Sequence, residues 1–314
     1  MTKKISLFPY EVENVISIQD AKQKSAWGIS TFDLPKTWTK TKGENVKVAV
    51  LDTGCDLNHP DLSKNLLPGY NVINPKKQPW DDNRHGTHVA GIIAAENNDI
   101  GVVGVAPHSK IIPVKVLDKN GSGSVSNVAN GIIWATDVAK ADFICLSLGT
   151  PNPVPEIHAA IKYAMLKKTI CFVAAGNSGL TRKIFYPANY HETIGIGSVD
   201  EDLNRSKFSN TGDNLDFMAP GDKILSTVPD SWYAILSGTS MATPFAVGVA
   251  SLYLSYVRSK KLNVKLETNL DYISVFRSNT ISINCPKNKN NNFYEGFGIL
   301  DPRKIFEKLV SIFF

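Results

Sequence analysis

The chain has 314 residues, of which 43% are hydrophobic and 20% are charged, so it carries enough apolar material for a large globular core. The formal net charge is +5, but the basic residues are scattered and do not alternate with aromatic residues, which argues against a nucleic-acid partner. No apolar run is long enough to cross a bilayer, so we expect no association with a membrane.

The first residues, MTKKISLFPYEVENVISIQD, lack the continuous apolar segment that a secretory signal requires. The four cysteines have no zinc-ligand spacing. Cys145 and Cys171 lie in apolar runs, where a cysteine is usually a small buried hydrophobic residue, and we expect all four thiols to be reduced. Both observations predict a cytoplasmic protein.

Short apolar runs alternate with helix-like segments along most of the chain. The runs predict strands at 46–51, 111–116, 143–147, 170–174 and 193–199, and helices are predicted at 86–97, 125–139, 156–167 and 240–258. Such alternation predicts a three-layer α/β/α fold with a mainly parallel central sheet. The chain after Lys260 is less regular, and 286–292 is predicted to be a polar loop.

Four segments contain the residue types that amide hydrolysis needs: VAVLDTGCD with Asp52, NRHGTHVAG with His85, FVAAGNSG with Asn177 and SGTSMATP with Ser240. A serine hydroxyl is inert at its own pKa and needs a base, a group that orients the base, and donors for the oxyanion. Each segment alone has an ordinary alternative, such as a turn or a helix start. In parallel sheets, however, sites form at the carboxyl ends of strands, where Asp52 and Asn177 fall.

At these residues the chain resembles the subtilisin family, which implies the subtilisin-like fold, and the similarity extends from about Trp27 to Asp301. The roles are those of subtilisin itself, carried over by resemblance. Asp52 would orient the imidazole, His85 would act as base and then acid, Ser240 would attack the carbonyl, and Asn177 would stabilise the oxyanion. In HGTHVAG the first histidine is the catalytic one in the family, so His88 is assigned a structural role.

The resemblance also implies that a protein or peptide substrate binds as an extended strand between two edges, Gly121, Ser122 and Gly123 on one side and Ser147, Leu148 and Gly149 on the other. Leu117 would flank the P2 site, and Val125, Val128 and Leu148 would line the P4 pocket, although the two valines also fit the core face of a helix. The S1 pocket would be formed by Ser147–Thr150, Ala174, Ala175, Gly176 and Phe185. None of these is acidic, so we expect cleavage after a neutral residue.

The segment AAENNDIGVVGVAP resembles the high-affinity calcium loop of the family. The ligands implied for Ca²⁺ are the Asn98 side chain, the carbonyls of Glu96, Ile100 and Val102, the Asp61 carboxylate and the Gln23 amide. A set made of oxygen atoms alone suits this ion. The alternative is a glycine-containing loop that holds no ion.

Leu7-Phe8-Pro9-Tyr10 resembles the segment with which intracellular subtilisins block their own cleft. We therefore predict an autoinhibitory extension over residues 1–20, making the chain a zymogen, and a peptidase domain over 21–314. One alternative is a cytoplasmic lantibiotic leader peptidase, which would remove an acidic leader from a modified precursor peptide and would suit a basic enzyme. Another is an inactive binding protein on the same fold, which usually lacks a triad residue.

Overall fold

The computed structural model describes residues 4–16, 22–284 and 292–313. In chain order the strands of these residues are β1 Lys4–Leu7, β2 Glu11–Ile16, β3 Lys24–Ser25, β4 Lys47–Asp52, β5 Tyr70–Asn71, β6 Val102–Val103, β7 Lys110–Lys115, β8 Ser122–Ser124, β9 Phe143–Leu146, β10 Leu148–Gly149, β11 Ile170–Ala174, β12 Thr193–Val199, β13 Phe217–Pro220, β14 Ile224–Val228, β15 Trp232–Ser237, β16 Thr280–Ile281 and β17 Ile299–Leu300. Nine of these strands form the central sheet, in the order β16-β17-β13-β12-β11-β9-β4-β7-β5, and only the β16–β17 pair is antiparallel.

Helices cover both faces of this sheet. They are α1 Trp27–Thr31, α2 Leu34–Trp38, α3 His85–Ala94, α4 Val125–Asp137, α5 Pro155–Leu166, α6 Thr239–Ser259, α7 Asn269–Phe276 and α8 Pro302–Phe313. Helices α3 and α6 pack together on one face, and α4 packs with α5 on the other. Strands β9, β11 and β12 are buried along their whole length, which explains their continuous apolar sequences. The three-layer α/β/α architecture is confirmed.

Helix α6 runs through the core. It is the one helix of the described ranges that is long and apolar enough to cross a membrane, yet every residue of its apolar window is buried inside the fold. It packs against β9, β11, β12 and β13 as well as α3. Its composition therefore matches that of the central helix of a large core.

The predicted strands and helices are present, with two differences. The helix predicted over 86–97 ends at Ala94, because Ala95 takes an extended conformation and the Glu96 N–H then donates to the Asp61 carbonyl at 2.7 Å. The tail after Lys260 contains two helices rather than irregular chain. Helix α7 begins with a capping box in which Thr268 and Asp271 bond each other's main chain, a local signal that the sequence carries.

Two small sheets lie outside the central one and include the N-terminal strands. One has the order β10-β1-β8 and the other β14-β15-β2. The predicted extension therefore contributes β1 and β2, while its residues 1–3 and 17–20 lie outside the described part of the chain. The predicted loop at 286–292 and Cys285 also fall outside it, apart from Asn292, which begins a short 3₁₀ turn at Asn292–Tyr294.

Candidate active site

Asp52 and His85 form a buried pair at the carboxyl end of β4. His85 Nδ1 lies 2.9 Å from each carboxylate oxygen of Asp52, and both side chains are almost fully buried. The Thr53 N–H also donates to Asp52 Oδ1, at 2.7 Å. Because the carboxylate accepts only, the His85 proton lies on Nδ1 and Nε2 is left as a potential base. Nε2 is buried and has no hydrogen-bond partner among the described residues.

The start of α3 is held against the β4 turn by Asp81. One of its carboxylate oxygens accepts bonds from the Thr87 N–H and hydroxyl, and the other accepts the Thr53 hydroxyl. Two glycines allow the approach: a Cβ at Gly86 would lie 2.1 Å from the Gly54 carbonyl oxygen, and Gly54 itself has a φ of +112°. This packing brings His85 to Asp52, although 33 residues separate them.

Ser240 lies in the first turn of α6. Its hydroxyl donates to the Ser147 carbonyl at 3.2 Å, and the Ser147 hydroxyl donates to the Ser240 carbonyl at 2.9 Å. That carbonyl is free because Pro244, one turn further on, has no N–H to donate to it. The two serines therefore join the helix start to the end of β9, and the Ser240 hydroxyl is not bonded to His85.

The Asn177 side chain has its orientation set by Thr239. The N–H and hydroxyl of Thr239 donate to Asn177 Oδ1 at 2.9 and 2.6 Å, so Nδ2 points away from the helix. A Cβ at Gly238 would lie 2.8 Å from Asn177 Nδ2 and 3.6 Å from Ser240 N. The glycine thus leaves open the space beside two N–H donors, one of them in the first turn of a helix, where it has no intrahelical acceptor.

Strand β1 lies between the two predicted cleft edges and pairs antiparallel with both. Ile5 is opposite Gly123 in β8, and Leu7 is opposite Leu148 in β10. The Leu7 N–H also donates to the Gly121 carbonyl at 2.9 Å. The segments predicted as cleft edges therefore do bind an extended strand, and in this structure that strand is the protein's own N-terminus.

The next three residues cross the predicted catalytic side chains. Phe8 is only 4% exposed, and its ring lies 5.8 Å from that of Phe185. The Pro9 carbonyl accepts a bond from Asn177 Nδ2 at 2.8 Å, and the Tyr10 ring lies 5.0 Å from the His85 ring. Burial raises the pKa of the Tyr10 hydroxyl. Because two adjacent residues contact Asn177 and His85, these two groups lie within the span of one dipeptide.

The other predicted substrate residues are placed around this segment. Phe8 packs over Gly149, where a Cβ would lie 2.4 Å from its ring. Ile5 is 1% exposed and belongs to the apolar core that also includes the predicted P2 and P4 residues Leu117, Val125, Val128 and Leu148. The predicted S1 residues that are buried are Ser147, Leu148, Gly149, Ala174, Ala175 and Gly176.

The predicted calcium ligands converge on one point. The Gln23 Nε2 atom lies 2.6 Å from the Glu96 carbonyl, 3.0 Å from that of Ile100, 3.1 Å from that of Val102 and 3.2 Å from Asn98 Oδ1. Asp61 adjoins them, with Oδ1 bonded to Asn98 Nδ2 at 3.2 Å and Oδ2 to the Val102 N–H at 2.8 Å.

This loop has more acceptors than donors. The Gln23 amide has two hydrogens, yet four oxygens surround its nitrogen within 3.2 Å. Burial also raises the pKa of Asp61, because the charged carboxylate is removed from water. An excess of carbonyl oxygens beside one buried carboxylate fits a hard cation. No group of three or more His, Cys, Asp and Glu side chains in the described ranges is arranged to hold a metal.

His88 and three cysteines belong to the core. His88 Nε2 lies 3.1 Å from the Ile224 carbonyl and 3.0 Å from the Ala234 carbonyl, and burial lowers its pKa to about 3. A neutral imidazole that donates to β14 or β15 has a structural function. Cys55, Cys145 and Cys171 are buried free thiols.

Sequence reasoning missed three residues that support the site. Thr239 orients Asn177, Asp81 holds the start of α3, and Tyr10 covers His85. Thr239 stands directly beside Ser240 in the motif, so a hydroxyl next to the predicted nucleophile was an available signal. The contacts of Asp81 and Tyr10 depend on tertiary packing and have no local signature.

Comparisons with known proteins agree with this geometry. The model of the subtilase family matches residues 43–291. The chain is 38% identical to the intracellular serine protease of Paenibacillus polymyxa, over 98% of this chain and 95% of the relative. It is 42% identical to the major intracellular serine protease of Bacillus subtilis, over 82% of each chain, and 42% identical to thermitase of Thermoactinomyces vulgaris, over 79% of this chain and 89% of the relative. The chain therefore belongs to the subtilase family and is a subtilisin-type serine protease.

Proposed function

We propose that the chain is a serine endopeptidase that uses Asp52, His85 and Ser240 as its triad and Asn177 as an oxyanion donor. The observation that carries this proposal is the buried Asp52–His85 pair, in which both carboxylate oxygens hold Nδ1 and leave Nε2 without a partner. A buried imidazole that is oriented in this way has the tautomer that a general base for a serine needs.

In the reaction, Ser240 Oγ leaves the Ser147 carbonyl, transfers its proton to His85 Nε2 and attacks the substrate carbonyl carbon. The negative charge that develops on the carbonyl oxygen is stabilised by the Asn177 Nδ2–H and the Ser240 N–H. The imidazolium then protonates the leaving amine, and water hydrolyses the acyl-enzyme through the same groups. Thr239 keeps the Asn177 amide turned towards the oxyanion, because both its donors bind Oδ1.

A fluorophosphonate probe tests the nucleophile directly. It should label the wild-type chain at Ser240, as located by mass spectrometry, and should not label Ser240→Ala. The matched control is Ser63→Ala, which removes an exposed hydroxyl far from the motif in sequence and should keep both labelling and peptidase activity. Peptidase activity that survives in Ser240→Ala would contradict the proposed mechanism.

We also propose that residues 1–20 are an autoinhibitory extension and that the chain is a zymogen. Burial of Ile5 and Phe8 stabilises the docked extension by about 3–6 kcal/mol in total, at about 1.5–3 kcal/mol for each side chain. Phe8 occupies the apolar pocket, while the carbonyl at Asn177 belongs to Pro9, the following residue. In a substrate, the residue whose side chain fills this pocket also presents its own carbonyl to Asn177. Here two successive residues make these two contacts, so the segment is shifted by one residue from the position of a substrate. The Ser240 hydroxyl, bonded to Ser147, is also turned away from the base.

Substrate preference follows from the pocket that Phe8 fills. We propose that the chain cleaves after neutral residues, with an extended protein or peptide substrate between β8 and β10, because no predicted S1 residue is acidic. The buried Ile5 supports an apolar preference at P4.

The calcium proposal rests on the surplus of oxygen atoms around Gln23. We propose that Ca²⁺ is held by the Asn98 side chain, the Asp61 carboxylate, the carbonyls of Glu96, Ile100 and Val102, and the Gln23 amide, turned so that its oxygen replaces the nitrogen that faces these groups here. Bound there, the ion would supply stability and no chemistry to the triad, because it would tie the start of the peptidase domain to two loops.

Among the physiological roles considered, an intracellular subtilisin is favoured. Two relatives are named intracellular serine proteases, and one of them matches over 98% of this chain. These names support a cytoplasmic location and protein or peptide substrates. The leader-peptidase alternative rests mostly on charge, and the intact Asp52–His85 pair argues against an inactive binding protein.

A further inference from the structure

Lys115 stands at the carboxyl end of β7, directly opposite Asp52 of β4 in the sheet. The residue is only 6% exposed, and it is the one lysine or arginine that is buried in the part of the chain that the structure describes. An ammonium group that is removed from water is unfavourable unless its partners compensate for the lost hydration. Its position beside the proposed triad therefore points to a role for its charge.

The ammonium group bridges the two segments that carry Asp52 and His85. Its Nζ atom donates to the Thr53 carbonyl at 2.5 Å and to Asp82 Oδ1 at 2.6 Å. Thr53 directly follows Asp52 and also donates its own N–H to that carboxylate. Asp82 belongs to the loop that leads into α3, where His85 is the first residue. Lys115 thus ties the turn after β4 to the loop before His85.

The loop before α3 has a strained main chain. Arg84, the last residue before the helix, has a φ of +122° and a ψ of −23°, a region that residues other than glycine rarely occupy. Such a conformation persists only where surrounding contacts enforce it. Asp81 Oδ1 supplies part of that enforcement, because it accepts the N–H groups of Asn83 and Arg84 at 2.9 and 3.0 Å. The bond from Lys115 fixes Asp82, the remaining residue of this loop.

We propose that Lys115 is a positioning residue for the Asp52–His85 pair. This inference rests on the proposed function and deepens it. The lysine acts through its two acceptors, which keep the strained loop closed against the β4 turn. Without the lysine, the loop relaxes at Arg84, and His85, the next residue, leaves its place against Asp52. The fraction of the enzyme that has an aligned base then falls.

An ordinary structural role makes a different prediction. A side chain that only fills the core affects the free energy of unfolding but not the geometry of the Asp52–His85 pair. Met has a volume similar to that of Lys, and the Asp82 side chain is 51% exposed, so water can replace the lost partner of its carboxylate. Lys115→Met should therefore remain folded, with a melting temperature close to that of the wild type.

Steady-state kinetics of the full chain test the inference at saturating substrate, where the substrate has displaced the extension in every variant. We expect Lys115→Met to lower kcat by up to about 100-fold, the loss that a misplacement of about 1 Å can cause, with a much smaller change in KM. The matched control is Lys110→Met, the same change at the other end of β7. The Lys110 ammonium also donates to a main-chain carbonyl, that of Lys64 at 2.9 Å, and this control should keep the wild-type kcat.

Glycine at position 84 provides a second test, because glycine adopts a positive φ without strain. The Arg84 side chain is exposed, so its removal disturbs no packing in the core. In the Lys115→Met background, Arg84→Gly should raise kcat several-fold, since the loop then keeps its shape without being held. In the wild-type background the same substitution should change kcat much less, because Lys115 already holds the loop.

A proton NMR signal reports the geometry of the pair without any need for activity. The proton on His85 Nδ1, with two carboxylate oxygens 2.9 Å away, should resonate at low field, and its signal is assigned by its loss in His85→Gln. We expect this resonance to move upfield or to disappear in Lys115→Met, to remain in Lys110→Met, and to return when Arg84→Gly is added to Lys115→Met. Asp82→Asn, which removes the partner of the lysine instead, should have the same effect to a smaller extent.

An unchanged kcat or an unchanged resonance in Lys115→Met would overturn the inference. An equal effect of Arg84→Gly on kcat in the two backgrounds would also overturn it, because strain would then be unrelated to the lysine. If Lys115→Met failed to fold, Asp82→Asn would decide: a displaced resonance supports the inference and an unchanged one overturns it. A wild-type chain that cleaves no peptide would refute the proposed function, and the resonance would still decide whether Lys115 positions His85.

Discussion

The proposed catalytic side chains depend on neighbours that do no chemistry. Thr239 holds Asn177 Oδ1 with two donors, Asp81 fixes the first turn of α3, and Ser147 binds the Ser240 carbonyl that Pro244 leaves free. All of these groups are buried or partly buried, so their hydrogen bonds are poorly replaced by water. Preorganisation of this kind removes the need to reorient dipoles during the reaction.

The contribution of Asn177 can be measured by removing its amide. Asn177→Ala should lower kcat by about 10²- to 10³-fold, which is the loss known for the oxyanion asparagine of subtilisin itself, with little change in KM. Asn152→Ala, which truncates an exposed asparagine, serves as the control and should keep wild-type kinetics. A kcat within a few-fold of the wild type would mean that Asn177 is not an oxyanion donor.

The neutral S1 pocket predicts the P1 preference. In peptides that differ only at P1, Phe or Leu should give a higher kcat/KM than Arg or Lys, because a buried cation in this pocket would have no carboxylate partner. The measurement is kcat/KM across the series on one enzyme preparation. A preference for Arg would show that an acidic group reaches the pocket from elsewhere or that the pocket is misassigned.

At the scale of elements, the N-terminus changes sheets as it crosses the site. Strand β1 belongs to the sheet with β8 and β10, β2 belongs to the sheet with β14 and β15, and residues 8–10 join them without strand pairing. Pro9 lies in this crossing and cannot donate a main-chain hydrogen bond. At this change of sheet, Phe8 fills the apolar pocket while the carbonyl that binds Asn177 belongs to the next residue, Pro9.

Releasing the extension should therefore activate the enzyme. Deletion of residues 1–20 should raise the initial rate, and a synthetic peptide spanning residues 3–16 should inhibit the truncated enzyme competitively, whereas a scrambled peptide of the same composition should not. Pro9→Ala should convert the segment into a substrate cut near Tyr10, as mass spectrometry of the products would reveal. A full-length chain that is fully active from the first moment would contradict autoinhibition.

For the whole molecule, the proposed calcium loop joins parts of the chain that are far apart in sequence. Gln23 stands just before β3, Asp61 follows β4, and residues 96–102 follow α3. Strand β3 also pairs with β6 at the end of that loop, so the loop connects the start of the peptidase domain to its core. Tying distant segments together in this way stabilises the folded state when the ligand binds only there.

Removal of calcium should accordingly lower the melting temperature at constant ionic strength. Asp61→Ala should abolish most of the difference between the calcium-loaded and chelated protein, because it removes the one carboxylate of the set. Glu201→Ala, which removes an exposed carboxylate, should keep that difference. Differential scanning calorimetry with and without a chelator provides the measurement, and an unchanged melting temperature in the wild type would exclude a stabilising ion.

The architecture and the candidate catalytic residues could be predicted from local sequence patterns. The buried strands show as continuous apolar runs because both sheet faces are covered, and the core helices show by their length and composition. The candidate catalytic residues stand in short contiguous motifs, so they could be identified without knowing how far apart they lie in the fold. They are Asp52, His85, Asn177 and Ser240. The helices after Lys260 were missed although Thr268 and Asp271 offered a capping signal.

Which of these segments meet, and which residue of one lies opposite which residue of another, depends on the three-dimensional packing. Asn177 and Pro9 are 168 residues apart, and their 2.8 Å bond depends on how the N-terminus lies across the cleft. Three other contacts also depend on how distant segments pack: the hydrogen bond from Thr239 to Asn177, the ring contact of Tyr10 with His85, and the pairing of β2 with β15. Local periodicity reports which face of an element is buried, but not which distant residue packs against it, because that choice is made by long-range packing and strand register.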